Sequence, residues 1–108
     1  MKNATVLALA FVSTLAAAQK TSTVGLGAAS CGSYNEVRAR GDEDTRMKAG
    51  FYLQGYLSGL NAGMLANQRQ TKSIPDGAAL ISFVDSYCQR SPLERLDSAL
   101  IDLYLQLR

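Results

Sequence analysis

Apolar positions follow two regimes along this chain. From Ala4 to Leu15 they form one uncharged run, whereas beyond Cys31 they recur every three or four residues, the period of an amphipathic helix. Ser33 followed by Glu36 has the form of a capping box, so the spacing predicts a short first helix from Tyr34 to Arg40 that stops at Gly41. A second helix is predicted from Thr45 to Asn67, with Leu53, Leu57, Leu60 and Met64 as its inward stripe. The acidic trio Asp42, Glu43 and Asp44 precedes it, where negative charge favours the positive end of the helix dipole. Asp76 can cap a third helix running to Gln89, with Leu80, Ile81, Val84 and Cys88 facing inward. Ser91-Pro92-Leu93-Glu94 reads as a fourth helix start: Ser91 as cap, Pro92 at the first helical position, Glu94 completing the box. Leu93, Leu96, Leu100, Leu103 and Leu107 then form a continuous apolar edge. The expectation is an all-α fold, a small four-helix domain over residues 31–108.

Two features of this pattern point outward. Gly55, Gly59 and Gly63 recur every fourth residue beside the stripe of the second helix. Each costs about 1 kcal/mol relative to alanine inside a helix, so three in register suggest a groove where another helix packs closely. Residues 49–68 carry no charge, which raises a membrane helix as an alternative, but Gln54, Ser58, Asn61, Asn67 and Gln68 are costly in lipid and a soluble core explains the same stripe. On the fourth helix Ile101, Tyr104 and Leu105 widen the apolar edge and are candidates for contact with a second subunit, as in a homodimer.

The N-terminal run has a different meaning. Lys2 supplies a positive start, the apolar run follows, and Ala16-Ala17-Ala18 places small residues before Gln19, the pattern of a secretory signal peptide cleaved near Ala18. The run is well short of the roughly 20 apolar residues that span a bilayer. A lipoprotein reading at Cys31 fails because the run ends far upstream and Lys20 intervenes. Residues 19–30, rich in Thr, Ser, Gly and Ala, read as a flexible tail. Removing residues 1–18 takes away Lys2 alone among the charged residues, leaving ten basic and nine acidic side chains and a formal charge of +1. That balance offers no clustered basic face for nucleic acid.

Cysteine and histidine content bounds the chemistry. Cys31 and Cys88 are the two cysteines, and in an oxidising periplasm a widely spaced pair points to a structural disulfide and matches neither a CxxC redox motif nor a zinc site. The chain has no histidine, which removes the commonest general base and the commonest metal ligand. Asp85 and Asp97 could approach each other if the third and fourth helices pack, yet scattered helical carboxylates are usually solvated. The glycines lack the Lys-Ser or Lys-Thr of a phosphate loop. These residues point away from an enzyme and call for neither metal nor cofactor.

Cys31-Gly32-Ser33-Tyr34, Tyr52-Leu53-Gln54-Gly55-Tyr56-Leu57-Ser58-Gly59-Leu60-Asn61, Phe83-Val84-Asp85-Ser86-Tyr87-Cys88 and Pro92-Leu93 together resemble small exported bacterial proteins similar to the HdeA/HdeB acid-stress chaperone family. The resemblance implies an HdeA-like, periplasmic, all-helical protein in which one disulfide joins distant helices and acid frees a client-binding surface. Protonating all nine carboxylates would take residues 19–108 from +1 to +10, and self-repulsion of that size loosens compact states. Asp76, Asp85, Asp97 and Asp102 are the candidate pH-responsive groups. Ile74-Pro75-Asp76-Gly77 followed by a helix, and then Pro92 with a leucine-rich helix, is also similar to the periplasmic immunity proteins of the Rap/Tai kind that inhibit type VI secretion amidase effectors. Those usually carry a further cysteine where this chain has Ser73. In that alternative the second helix or the Gln68–Pro75 loop would plug a toxin active site. The partners expected are accordingly protein clients or a toxin.

Overall fold

The computed structural model describes residues 23–108, so the expected signal peptide and residues 19–22 lie outside the described residues. Four α-helices follow one another: α1 (Cys31–Ala39), α2 (Glu43–Ala66), α3 (Gly77–Arg90) and α4 (Leu96–Gln106). The all-α class and the four-helix order follow from the periodicity, and the helix ends show what the local signals do and do not control.

Two starts obey short-range chemistry. Asp42 caps α2 by accepting from the Thr45 amide, and Asp76 caps α3 by accepting from the Ala79 amide. Between α1 and α2 the chain reverses at Gly41, whose φ of 69° suits a residue without a Cβ. The start of α1 differs from expectation. Its cap is Ser30, whose hydroxyl accepts from the Ser33 amide, so the helix begins three residues before the position predicted from Ser33 and Glu36.

The start of α4 moves the other way. Residues 91–94 form a turn closed by the Glu94 amide on the Ser91 carbonyl, and α4 begins only at Leu96 with no side-chain cap from Arg95. The physical reason lies in α1. A helix leaves its first amides without internal partners. Here the Cys31 amide donates to the Glu94 carbonyl at 2.7 Å and the Gly32 amide to the Pro92 carbonyl at 2.8 Å. The Leu96 amide returns a bond to the Ala29 carbonyl at 3.0 Å, completing a short antiparallel contact between Ser30 and Arg95. Carbonyls that would have propagated α4 therefore terminate α1. Leu93, expected on the apolar edge, is 96 % exposed on the tip of this turn.

The same contact corrects the reading of residues 19–30 as a flexible tail over its described part. Residues 25–28 form one 3-10 turn against the domain, with Leu26 packed on the core and Gly27 buried. The Gly27 amide donates to the Tyr52 hydroxyl at 2.7 Å, and a Cβ at Gly27 would overlap that hydroxyl.

The core joins Cys31 and Tyr34 of α1, Leu53 and Leu57 of α2, Leu80, Ile81, Val84 and Cys88 of α3, and Leu96, Leu100, Leu103 and Tyr104 of α4. α3 touches each of the other three helices. Cys31 and Cys88 form a disulfide that is fully buried, with Cα atoms 4.7 Å apart across a sequence separation of 57. Closing a loop of that length restricts the unfolded chain by about 4 kcal/mol on the chain-entropy account.

Two outcomes follow from this architecture. The double variant Cys31→Ser/Cys88→Ser loses about 2–4 kcal/mol of unfolding free energy in urea titrations, and the wild type matches it under reducing conditions. Leu96→Ala costs about 2–5 kcal/mol because the site is fully buried, whereas Leu93→Ala stays within about 0.5 kcal/mol of wild type in the same titration.

Candidate protein-binding surface

α2 turns one side to the core and leaves the other uncovered. Ala49, Gly50, Leu53 and Leu57 are buried, and Leu60 and Met64 are partly covered. The opposite side presents Met47, Phe51 and Leu65, which are 50 %, 68 % and 69 % exposed, with small residues between them. No charge falls between Ala49 and Gln68, so this outward face lacks the Lys and Glu that ordinarily solvate an exposed helix. Among the described residues no helix is long and apolar enough to cross a membrane.

Gly55, Gly59 and Gly63 lie on this uncovered side. Among the described residues a Cβ at any of them would meet nothing within 4 Å, so the expectation that another helix packs into a glycine groove is corrected for the described helices. The close crossing occurs one turn earlier. At Gly77, in the first turn of α3, a Cβ would sit 3.8 Å from the Gly50 Cα, and one at Gly50 would sit 3.5 Å from Ile81 Cδ1. Gly50 breaks the four-residue series by only one position, and nothing in its local sequence separates it from the exposed three. Beside this crossing Met47, Phe51, Gln54, Ala78 and Ile81 line an open groove of about 180 Å³.

A second outward apolar strip lies on α4. Ile101 is 42 % exposed and Leu105 is 71 % exposed, and both line a shallow depression with Tyr87, Ser98 and Asp102. Tyr104, grouped with them in the sequence as an interface candidate, is instead only 6 % exposed. Its hydroxyl donates to Asn61 Oδ1 at 2.7 Å, which satisfies the polar end of an otherwise buried ring.

The four candidate carboxylates hold the helices at different points. Asp76 is an exposed cap of α3, and Asp102 sits on the surface of α4 accepting from Gln106. Asp97, 9 % exposed in the first turn of α4, takes both guanidinium bonds of Arg95, at 3.1 and 2.7 Å. Asp85 joins α3 to α1: Arg38 Nε and Nη2 donate to its two oxygens at 3.0 and 3.1 Å, and the Tyr34 hydroxyl donates at 2.8 Å. Asp85 and Asp97 thus answer to different arginines and do not form a carboxylate pair. Among the described residues no group of three or more Asp, Glu or Cys side chains converges to hold a metal ion.

The Tyr34–Arg38–Asp85 cluster was not legible as a unit, because its members lie 47 and 51 residues apart and only the packing of α1 on α3 brings them together. Beside it Asn35 Nδ2 donates to the Cys88 carbonyl at 3.0 Å, so polar contacts and the disulfide fasten the same pair of helices. Burial, with Asp85 accepting its proton, pushes the Tyr34 hydroxyl well above its ordinary value. The hydrogen bond to Asp85 likewise raises Arg38, and the Thr45 side chain, with the Thr45 amide beside it, holds Asp42 below the usual carboxylate range.

No protein-family model matches the chain, and neither a curated protein nor a solved structure matches it significantly. The uncovered faces of α2 and α4 are therefore read from their own chemistry.

The raised Tyr34 group makes a distinct alkaline signature. A folded-state value above the unfolded value of about 10 means that the protonated hydroxyl stabilises the native state; that contribution is complete below about pH 10 and is lost as pH rises through the folded-state value. In an ultraviolet titration of the five tyrosines, one ionises only with alkaline unfolding, and Tyr34→Phe removes that late phase.

Proposed function

We propose that this chain is an exported, periplasmic protein-binding protein that protects other proteins during acid stress. The observation that carries the reading is the outward face of α2, a long helical surface with exposed Met47, Phe51 and Leu65 and no charge from Ala49 to Gln68. Apolar area of this kind, left in water by the folded domain, is what an unfolding client can cover.

The placement of acidic groups supports acid as the trigger. Asp42 and Asp76 cap α2 and α3, Asp97 lies buried at the start of α4, and Asp85 clamps α3 to α1. Asp42 has a lowered folded-state value, so its contribution is present above the ordinary carboxylate range and is lost as pH falls through the folded-state value. As carboxylates are neutralised, net positive charge accumulates and its self-repulsion loosens the compact state. The disulfide does not titrate and keeps α1 on α3. Acid then loosens helix junctions around a fixed tether and enlarges the apolar surface already offered by α2 and α4.

The test is suppression of light scattering from an acid-denatured client, with size and apolar-dye binding of the oxidised protein followed between pH 7 and pH 2. Protection with new dye binding at low pH is expected. Phe51→Ser/Leu65→Ser weakens client binding about a hundredfold or more, because each covered side chain contributes about 1.5–3 kcal/mol, while the exposed positions leave folding intact. An unchanged compact monomer that protects nothing would overturn this function and direct the search to a single dedicated partner.

A further inference from the structure

The C-terminal end of α2 opens onto a feature that the apolar face does not explain. Arg69, Lys72 and Arg108 line one open depression of about 550 Å³ together with Met64, Gln70 and Thr71, and no carboxylate side chain lines it. The salt bridges among the described residues use Arg38, Arg46, Lys48 and Arg95, so these three cations have no acidic partner there.

Their backbone is held by a dense set of bonds. α2 ends at Ala66 with Asn67 as its C-cap, Gln68 adopts a left-handed φ of 56°, and the Arg69 amide returns to the Met64 carbonyl at 2.9 Å while the Gln68 amide returns to the Leu65 carbonyl at 3.0 Å. That pair of hydrogen bonds closes the helix by the Schellman pattern and sets the direction in which Arg69 leaves it. Asn61 then grips Lys72 at both main-chain groups, accepting from its amide and donating to its carbonyl, each at 2.8 Å. The Lys72 ammonium donates to the Leu107 carbonyl, and the Ser73 amide donates to the Arg108 main-chain oxygen, both at 2.9 Å. A loop and the end of α4 are thereby laced together so that their cations share one side.

We propose that this cluster is the acid-recognising end of the α2 docking surface, and that the protein partner it selects is an amphipathic helical segment whose apolar face covers Phe51 and Leu65 and whose Asp or Glu side chains end over Arg69, Lys72 and Arg108. The inference rests on the protein-binding reading above and adds polarity to it. Continuity carries it: Met64 lines the basic depression and Leu65 is exposed on the adjoining face, so an anion reaching the cations without an apolar body would leave that face in water.

The experiment measures binding of three labelled amphipathic helical peptides to the oxidised protein by fluorescence anisotropy. The peptides share one apolar face and end in three glutamates, three glutamines or three lysines. The glutamate peptide is expected to bind about tenfold tighter than the glutamine one, with the lysine peptide weakest and the preference shrinking as salt rises. Arg69→Gln/Arg108→Gln, which leaves the Lys72 contacts in place, abolishes the preference without loss of helical circular dichroism. Arg69→Glu/Arg108→Glu reverses it toward lysine, a change that a merely structural role would not produce. Equal binding of the glutamate and glutamine peptides, or no binding of any peptide, overturns the proposal. So does charge-dependent binding to phosphatidylglycerol vesicles without a peptide preference, which would assign the cluster to a lipid surface. Client protection without glutamate preference refutes this inference alone, and glutamate preference without client protection refutes only the chaperone role.

Discussion

The contact between the first turn of α1 and the chain that follows α3 is the constraint on which the remaining structure depends. Cys31 stands at its centre. Its sulfur is bonded to Cys88 near the end of α3, and its amide donates to Glu94 in the turn just beyond. One residue thus receives α3 covalently and the approach to α4 by a hydrogen bond. Gly32 adds its bond to Pro92, and Asn35, Tyr34 and Arg38 extend the α1–α3 seam along the next turns. With α3 pinned in this way, α2 and α4 pack against it to close the core.

This arrangement explains why so much apolar surface remains outside. A four-helix domain of this size needs only one stripe from each helix, and α2 contributes Leu53 and Leu57 fully while its ends project beyond the tightest packing. The other side of α2 meets no helix of this chain among the described residues. Its glycines lower helix propensity without giving close packing in return, and its uncharged surface forgoes the solvation that most exposed helices have.

Charge is distributed in a complementary manner. Acidic side chains concentrate where helices begin or meet, whereas Arg69, Lys72 and Arg108 gather at the far end of α2 without acidic partners among the described residues.

Helix number, order and inward stripes were determined by the sequence itself, because the period of Leu53, Leu57, Leu80, Val84, Leu96, Leu100 and Leu103 is a property of the helix and survives in any packing. The Asp42 and Asp76 caps were legible for the same reason: each bonds an amide three residues away. A disulfide between Cys31 and Cys88 needed no geometry, since two cysteines allow one intrachain pairing. Tertiary structure decided everything that depends on competition between distant groups. Ser91-Pro92-Leu93-Glu94 has the form of a helix start, but its carbonyls satisfy amides of α1 about sixty residues upstream, and no local signal reports that demand. It likewise decided that Gly50, and not Gly55, Gly59 or Gly63, meets another helix, that Tyr104 turns inward to Asn61, and that Arg69, Lys72 and Arg108 share one depression. Short-range bonds and periodicity are written in neighbouring residues; the partner of an exposed face or an orphan amide is known only once the helices have packed.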